Sequence, residues 1–257
     1  MDITQHQTEI LENEKYWQRK PILRTIYRGF HEEIARHLSL LESPLVVELG
    51  SGIGNIKEVI PHALRTDLFP NPWLDQTENA YALSFGDETV SDLILFDVFH
   101  HLRYPGTALK EFWRVLRPGG RVLVFDPFIS LLGLVVYGLM HKEPINWRQE
   151  IEWYAPVGWN PHQVDYYAAQ GNATRVFFSR LTPTLLEDWR LVVRKRYAAF
   201  SYVASGGYSG PQLYPDSFYP KMRALDGWLE NIPAAFATRI LAVLEKPGQN
   251  EKTFSAV

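Results

Sequence analysis

Three glycines at alternate positions, Gly50, Gly52 and Gly54, follow directly after an apolar run that ends with Glu48 and Leu49. Glycine adopts φ > 0 and, because it lacks a Cβ, it lets a ligand lie against bare backbone. The apolar residues before the glycines predict a buried strand, and those from Ile56 to Ile60 predict a short helix that ends before a proline. Free N–H groups at the start of that helix could face a ligand. This pattern is typical of a corner that binds a nucleotide or a nucleoside.

Two further residues indicate which of these ligands to expect. A dinucleotide fingerprint, G-x-G-x-x-G, needs its third glycine at position 55, where this chain has Asn55. Asp67, at the end of the next predicted strand, offers a carboxylate that can accept hydrogen bonds from both hydroxyls of a ribose. The spacing therefore favours a nucleoside over a pyrophosphate. The alternative interpretation is a glycine turn that binds nothing.

A second group of chemically active side chains follows two later strands. The buried run that begins at Val90 ends with Asp97 and is followed by His100 and His101, and Asp126 ends the strand after it. Open α/β sheets bind ligands at the carboxyl ends of their strands. An unperturbed histidine, with a pKa near ~6.5, suits base catalysis. Either histidine could remove a proton or simply hold its loop, and Asp126 could orient an acceptor, as could His141.

The absence of cysteine excludes disulfides, thiolate nucleophiles and sulfur-ligated metals. The histidines show neither an H-x-x-x-H nor an H-x-H spacing, so we predict no metal site.

Charge and composition limit the class of protein. The chain has 257 residues, of which 46% are hydrophobic, and this predicts one α/β domain with an additional segment. The formal net charge is -3, which gives no general attraction to nucleic acid. The first residues lack the layout of a signal peptide, so we expect a cytoplasmic protein. The longest apolar run, Phe128–Met140, is too short to span a membrane, although a peripheral contact stays open.

Hydrophobic periodicity predicts the elements that position these side chains. Residues Ile22–Leu41 read as an amphipathic helix, and Glu12–Lys20 as a shorter helix before it. Further helices are predicted over Ala108–Leu116 and Ser217–Glu230. Strands are predicted at Leu45–Leu49, Ala63–Thr66, from Val90 onward, and at Arg121–Pro127, Leu191–Phe200 and Arg239–Glu245.

Four motifs in order resemble one family. They are E-x-G-x-G-x-G at Glu48–Gly54, the stretch Asn79–Asp87, H-H-L at His100–Leu102 and L-R-P-G-G at Leu116–Gly120. Together they resemble the class I S-adenosylmethionine-dependent methyltransferases, in particular the group called type 11. The chain departs from the family pattern D-A-x-x-L-P-F-x-D at Asn79, where the family has Asp, and at Ser84, where it has Pro.

The resemblance implies a Rossmann-like α/β fold, with a seven-stranded, mostly parallel sheet, helices on both faces, N-terminal helices and an aromatic-rich insertion after strand five. It implies S-adenosylmethionine as cofactor and S-adenosylhomocysteine as product. By position, the amide oxygen of Asn79 would accept from the adenine amino group. The full set of implied cofactor contacts is Glu48, Gly50, Ser51, Gly52, Gly54, Asn55, Asp67, Leu68, Asn79, Ala80, Asp97, Val98 and Phe99.

The resemblance also divides one methyltransferase domain, 1–257, into regions. We expect an N-terminal helical cover (1–42), a cofactor-binding core (43–127), an insertion that covers the substrate (128–178) and a C-terminal part of the sheet (179–257). Candidate substrate residues are Asp126, Tyr137 and His141, and candidate catalytic residues are His101 and His100.

The expected activity is methyl transfer to a small molecule, whether a sugar, a lipid-like compound or an aromatic metabolite. A nicotinamide-dependent reductase and a non-catalytic binding module are the alternatives. The cluster Arg190, Arg194, Lys195 and Arg196 reads as a solvated strand edge or as a site for a phosphorylated acceptor. The oligomeric state is open.

Overall fold

A computed structural model describes residues 3–139, 145, 147, 149–162 and 167–248. The α-helices are α1 (Ile3–Arg19), α2 (Pro21–Ala35), α3 (Pro105–Val115), α4 (Leu131–Leu139), α5 (Asn172–Phe177), α6 (Thr182–Leu185), α7 (Phe200–Ala204), α8 (Tyr219–Leu229) and α9 (Pro233–Phe236). The strands are β1 (Val46–Leu49), β2 (Leu64–Asp67), β3 (Gln76–Thr77), β4 (Val90–Phe96), β5 (Leu116–Pro127), β6 (Arg190–Tyr197) and β7 (Arg239–Glu245).

The seven strands form one sheet in the order β3-β2-β1-β4-β5-β7-β6. The pairs from β3 to β5 are parallel, whereas β7 runs antiparallel to both β5 and β6. This agrees with the expected seven-stranded, mostly parallel sheet. Because β7 is reversed, its first residue, Arg239, pairs with Pro127 and lies at the edge where β1, β2, β4 and β5 end.

Apolar side chains pack on both faces of the sheet. On one face, α3 and α5 contribute Phe112 and Phe177, both fully buried. On the other face, α2 contributes Ile26 and Phe30, and the ring of Phe30 lies 4.9 Å from that of Phe125 on β5. Helices therefore cover both faces, as expected, and the sheet edge with the strand ends is the place left for a site.

Several element boundaries differ from the sequence-based prediction. Helix α1 is longer, and α2 ends at Ala35 rather than Leu41. The chain leaves α2 early because Ser39 is tied to β4: its backbone N–H and hydroxyl donate to the buried carboxylate of Asp92 at 2.7 and 2.8 Å.

Two further predictions were wrong in detail. The helix expected after the glycines is a single 3-10 turn, Asn55–Glu58. Gly54 before it has φ +68°, and Pro61 follows closely, so the chain has no room for a longer helix. The strand predicted at Arg121–Pro127 begins earlier, at Leu116, so the L-R-P-G-G segment belongs to β5, with a register shift against β4.

Helix α4 begins the predicted substrate cover. Its Tyr137 is buried, whereas Leu131, Leu134 and Val135 are exposed. Throughout the described part of the chain, no helix combines the length and the apolar character that crossing a membrane would require.

Candidate active site

The glycine loop between β1 and β2 has the left-handed backbone that its sequence predicts. Gly50, Gly52 and Gly54 have φ of +72°, +53° and +68°. A Cβ on Gly50 would lie 2.3 Å from Cγ2 of Val98, and one on Gly54 would lie 2.8 Å from Cδ of Arg65. These two glycines are therefore required by internal packing. A Cβ on Gly52 would meet only the side chain of Ile10, at 3.6 Å, so the backbone there can accept a ligand.

The loop is fixed by hydrogen bonds to β2. The backbone N–H of Ser51 donates to the carbonyl of Thr66 at 2.8 Å, and the N–H of Thr66 donates to the Ser51 hydroxyl at 3.0 Å. The side chain of Asn71 donates to the carbonyl of Gly52 at 3.1 Å. The sequence-predicted Ser51 therefore holds the loop in shape.

Glu48 lies beneath the loop with 3% of its surface exposed, and its Oε2 has no hydrogen-bond partner. Burial raises the pKa of the Glu48 carboxyl to about 7. A buried oxygen without a partner carries a free-energy cost that a ligand donor would relieve. The position therefore suits a cationic group such as an ammonium.

Asp67 ends β2 beside the same loop. Its Oδ2 accepts from the N–H of Gly52 at 3.2 Å, and its Oδ1 accepts from the N–H of Leu68 at 2.7 Å. The carboxylate is thus oriented at the sheet edge by two backbone donors. Both Asp67 and Leu68, predicted as cofactor contacts, lie next to the glycine loop.

Asn79 has a more structural role than its sequence position suggested. Its amide oxygen accepts from the N–H of Tyr81 at 2.9 Å, and its amide nitrogen donates to the carbonyl of Pro161 at 2.7 Å. Asn79 therefore shapes the turn that contains Ala80 and ties the insertion to it. The contact of Asn79 and Ala80 with adenine stays a prediction.

Asp97 follows β4 with φ +56° and pairs with a residue that the sequence analysis did not select, Arg239. Arg239 is 3% exposed, its Nη1 donates to Asp97 Oδ1, and its Nε has no partner. Burial opposes the charge of Arg239, but Asp97 and the neighbouring tyrosines Tyr137, Tyr202 and Tyr27 together outweigh it and raise the pKa of the guanidinium. The available signal was an arginine directly before the apolar run Ile240–Leu244 of β7.

The next two predicted cofactor residues behave differently from each other. Val98 is half-buried and packs against Gly50. Phe99 is fully buried, and its ring lies 4.9 Å from that of Phe177 in the core. The side chain of Phe99 therefore packs in the core instead of lining the surface of the candidate site.

His100 and Asp126 form a buried pair. His100 Nδ1 lies 3.0 Å from Asp126 Oδ1, with 3% and 0% of the two side chains exposed. Asp126 Oδ2 has no hydrogen-bond partner, and burial raises the pKa of the Asp126 carboxyl, opposed by His100. A base oriented by a carboxylate is the arrangement that activates nucleophiles in many enzymes.

His101 is held by main chain instead. Its Nδ1 lies 2.9 Å from the carbonyl of Tyr167, and its ring centre lies 4.1 Å from that of His100. Because a carbonyl only accepts, Nδ1 of His101 carries a proton. His100 Nδ1 therefore faces a carboxylate, whereas His101 Nδ1 faces a backbone carbonyl.

Of the predicted substrate residues, Tyr137 is buried and its hydroxyl donates to the carbonyl of Thr238 at 2.8 Å, directly before Arg239. Asp126 belongs to the pair with His100. His141 lies outside the described residues, as does Glu143 beside it.

Two segments cover the glycine loop from outside the sheet. Helix α1 places Ile10 against Gly52, and Tyr208 contacts the loop through its hydroxyl, 3.5 Å from the Asn55 amide nitrogen. Lys20 holds the segment around Tyr208 by donating to the carbonyls of Gly207 and Gly210 at 2.8 and 2.5 Å. Asn55 is thus used for packing at the position where a dinucleotide site would need glycine.

Comparison with known sequences gives one match. Residues 48–124 match the family described as a methyltransferase domain, Methyltransf_11. This segment runs from Glu48 through β5 and contains the glycine loop, Asp67, Asp97 and both histidines. No curated protein sequence matches the chain.

Solved structures share the fold at low sequence identity. A S-adenosylmethionine-dependent methyltransferase from Archaeoglobus fulgidus is 13% identical, with 87% of this chain and 94% of that chain covered and a TM-score of 0.51. Geranyl diphosphate C-methyltransferase from Streptomyces coelicolor, solved with Mg²⁺, geranyl-S-thiolodiphosphate and S-adenosylhomocysteine, is 9% identical, with 85% and 75% covered and a TM-score of 0.52.

A chain from the Haloferax volcanii complex that contains the Trm112 methyltransferase activator is 13% identical, with 92% of this chain and 98% of that chain covered and a TM-score of 0.52. At these identities the structures establish the fold alone.

Proposed function

Residues 48–124 carry a methyltransferase domain of the class I S-adenosylmethionine-dependent kind, and from this premise we propose that the protein methylates a small-molecule acceptor. The observation that supports the proposal best is the glycine loop. Its backbone is open at Gly52, an unpartnered carboxylate oxygen of Glu48 lies beneath it, and Asp67 lies beside it.

These residues fit S-adenosylmethionine group by group. Glu48 would hold the ammonium of its amino-acid end, the glycine loop would lie along its chain, and Asp67 would accept from the ribose hydroxyls. Asn79 and Ala80 would face the adenine, and Asp97 and Val98 would lie along the nucleoside. When bound, the cofactor supplies an activated methyl group on a sulfonium.

The chain itself must position the acceptor and, for a hydroxyl or amine acceptor, remove its proton. We assign Nε2 of His100 as the atom that takes this proton from the acceptor. Nδ1 faces Asp126, and the carboxylate can stabilise the imidazolium that forms. Asp126 is then a positioning residue. His101, anchored to the Tyr167 carbonyl, remains the alternative base.

The neighbourhood of the dyad indicates what kind of acceptor fits. Tyr202 is half-buried, and the Arg239 guanidinium lies 4.9 Å from the centre of its ring. Aromatic faces favour a ring-bearing or apolar acceptor, or a sugar stacked on them. The unpartnered Nε of Arg239 would donate to an oxygen of that acceptor.

Calorimetric titration with S-adenosylmethionine and, separately, with NADH tests this function. We expect S-adenosylmethionine to bind and NADH not to bind. Asp67→Ala should weaken S-adenosylmethionine by about 1 to 3 kcal/mol, the range for hydrogen bonds to a charged group. Asp75→Ala is the control, because Asp75 also bears a carboxylate near β2 but pairs with Arg65 and Lys57. Preferential binding of NADH would support the reductase instead.

A further inference from the structure

A groove of about 530 Å³ lies between β6, the start of the insertion after β5, α5 and α9. Its walls include Phe128, Phe178, Trp147, Arg194 and Arg196. The volume lies within the range of roughly 300 to 1,000 Å³ that is usual for small-molecule sites. No residue of this groove belongs to the cofactor or proton-transfer groups described above.

The two arginines bring adjacent positive charges into the groove. Arg194 and Arg196 are two residues apart on β6, so their side chains leave the same face of the strand. Both guanidiniums contact one ring, that of Phe178, at 5.5 and 5.4 Å from its centre, and Arg196 also lies 5.7 Å from Phe128. The aromatic contacts hold both cations in place.

Neither arginine is neutralised by the part of the chain that the structure describes. The neighbouring cations on β6 are paired: Arg190 with Glu245, and Lys195 with Glu33 on the opposite face of the sheet. Arg194 and Arg196 have no such carboxylate among the described residues. Two unneutralised guanidiniums side by side repel each other, and a doubly charged anion would relieve that repulsion.

The remaining walls of the groove indicate the chemistry of the part of the ligand that does not contact the arginines. Trp147 is 50% exposed at the groove, and Phe128 and Phe178 form apolar surface beside the arginines. An exposed tryptophan next to cations and aromatic faces is typical of a surface that binds a partly apolar, partly anionic molecule. Arginine binds phosphate through a planar, two-pronged fork, and a phosphate monoester carries about two negative charges near pH 7.

We propose that the groove binds a soluble organic phosphate: the phosphate lies between Arg194 and Arg196, and a ring or apolar body lies against Trp147 and Phe178. The proposal concerns binding and adds no chemical step. Because both arginines are exposed on an edge strand, they can be replaced without disturbing the core.

Titration calorimetry with phenyl phosphate, inorganic phosphate and phenol tests the site. Phenyl phosphate should bind the wild-type protein more tightly than inorganic phosphate, and phenol should show no binding. The double variant R194Q/R196Q should bind phenyl phosphate at least about 10-fold more weakly. Lys195→Gln is the matched control, because it removes one positive charge from the same strand on the opposite face, and its affinity should stay within about twofold of wild type.

Three results would overturn the proposal. One is the absence of phenyl phosphate binding at millimolar concentration, and the second is equal affinity in the wild-type protein and R194Q/R196Q. The third is an equal loss of affinity in Lys195→Gln, which would indicate nonspecific charge attraction.

Vesicles of phosphatidic acid in phosphatidylcholine form a separate arm: binding to them without binding to phenyl phosphate would assign the groove to a lipid surface instead. Equal unfolding temperatures of all variants establish that each is folded.

Discussion

At the scale of single residues, the candidate site is a row of carboxylates at one sheet edge, each in a different environment. Glu48 is buried without a partner for Oε2, Asp97 pairs with Arg239, and Asp126 pairs with His100. Different partners give these like groups different roles, so one site can hold both a carboxylate for a cationic ligand and a carboxylate that orients a base.

The dyad leads to a prediction about turnover. His100→Gln should lower kcat by about 100-fold or more, the usual contribution of a general base, and leave the affinity for S-adenosylhomocysteine within about twofold. Asp126→Asn should lower kcat less and shift its pH profile, because it acts through His100. The measurement is the rate of S-adenosylhomocysteine formation with a panel of acceptors. Wild-type turnover in His100→Gln, together with loss in His101→Gln, would transfer the role to His101.

Glu48 leads to a prediction about pH. Its pKa is about 7 in the folded protein and near 4.5 in an unfolded chain, so the folded state holds the proton more tightly. The stability that this proton contributes is complete below pH ~4.5 and is lost as the pH rises through 7. Relative to Glu48→Gln, the wild-type protein should therefore lose on the order of 2 kcal/mol between pH 5 and 8, measured by urea denaturation.

Binding should follow the opposite trend. Only the ionised form of Glu48 attracts an ammonium, so the affinity of the wild-type protein for S-adenosylhomocysteine should rise from pH 6 to pH 8. Glu48→Gln should bind weakly at both pH values. A pH-independent affinity in the wild-type protein would contradict the assignment of Glu48.

At the scale of elements, β1, the glycine loop and β2 form the unit that shapes the cofactor corner. Within the loop, Gly50 is needed for packing, whereas Gly52 is available for binding. Gly50→Ala should unfold the corner, because its Cβ would lie 2.3 Å from Val98. Gly52→Ala has space for its Cβ and bears only the strain of φ +53°, on the order of 1 kcal/mol. It should remain folded while losing affinity for S-adenosylhomocysteine. Calorimetry and thermal melting separate the two effects, and unchanged affinity in a folded Gly52→Ala would exclude this backbone from the site.

Helix α2 carries a buried histidine, His31. His31 is 2% exposed against Tyr27 and Phe96, and burial lowers its pKa from 6.5 to about 4. The unfolded chain takes up this proton below pH ~6.5 and the folded chain does not, so stability is lost as the pH falls from 6.5 to 4. The loss should reach on the order of 2 to 3 kcal/mol and be absent in His31→Phe.

The exposed His62 provides the control for this prediction. His62→Gln should retain the acid sensitivity of the wild-type protein. If the wild-type protein and His31→Phe lose the same stability at acid pH, burial of His31 is not the cause of that loss.

At the scale of the whole molecule, the sequence predicted the main strand segments better than the local detail. The apolar runs, together with the glycine spacing after the first of them, were enough to predict strands β1, β4 and β7. The one-turn 3-10 helix at Asn55–Glu58 and the early end of α2 depend on Pro61 and on the Ser39 contact with Asp92, which are tertiary. Arg239 was missed for the same reason: only the reversal of β7 places it beside Asp97.

The most direct measurement is a crystal structure of the protein with S-adenosylhomocysteine. The account predicts the amino-acid end of the ligand over Gly52 with its ammonium at Glu48, and the ribose hydroxyls at Asp67. Ile10 of α1, which now contacts Gly52, would lie over the bound ligand. A ligand bound elsewhere, or a glycine loop without ligand at saturating concentration, would contradict the central claim.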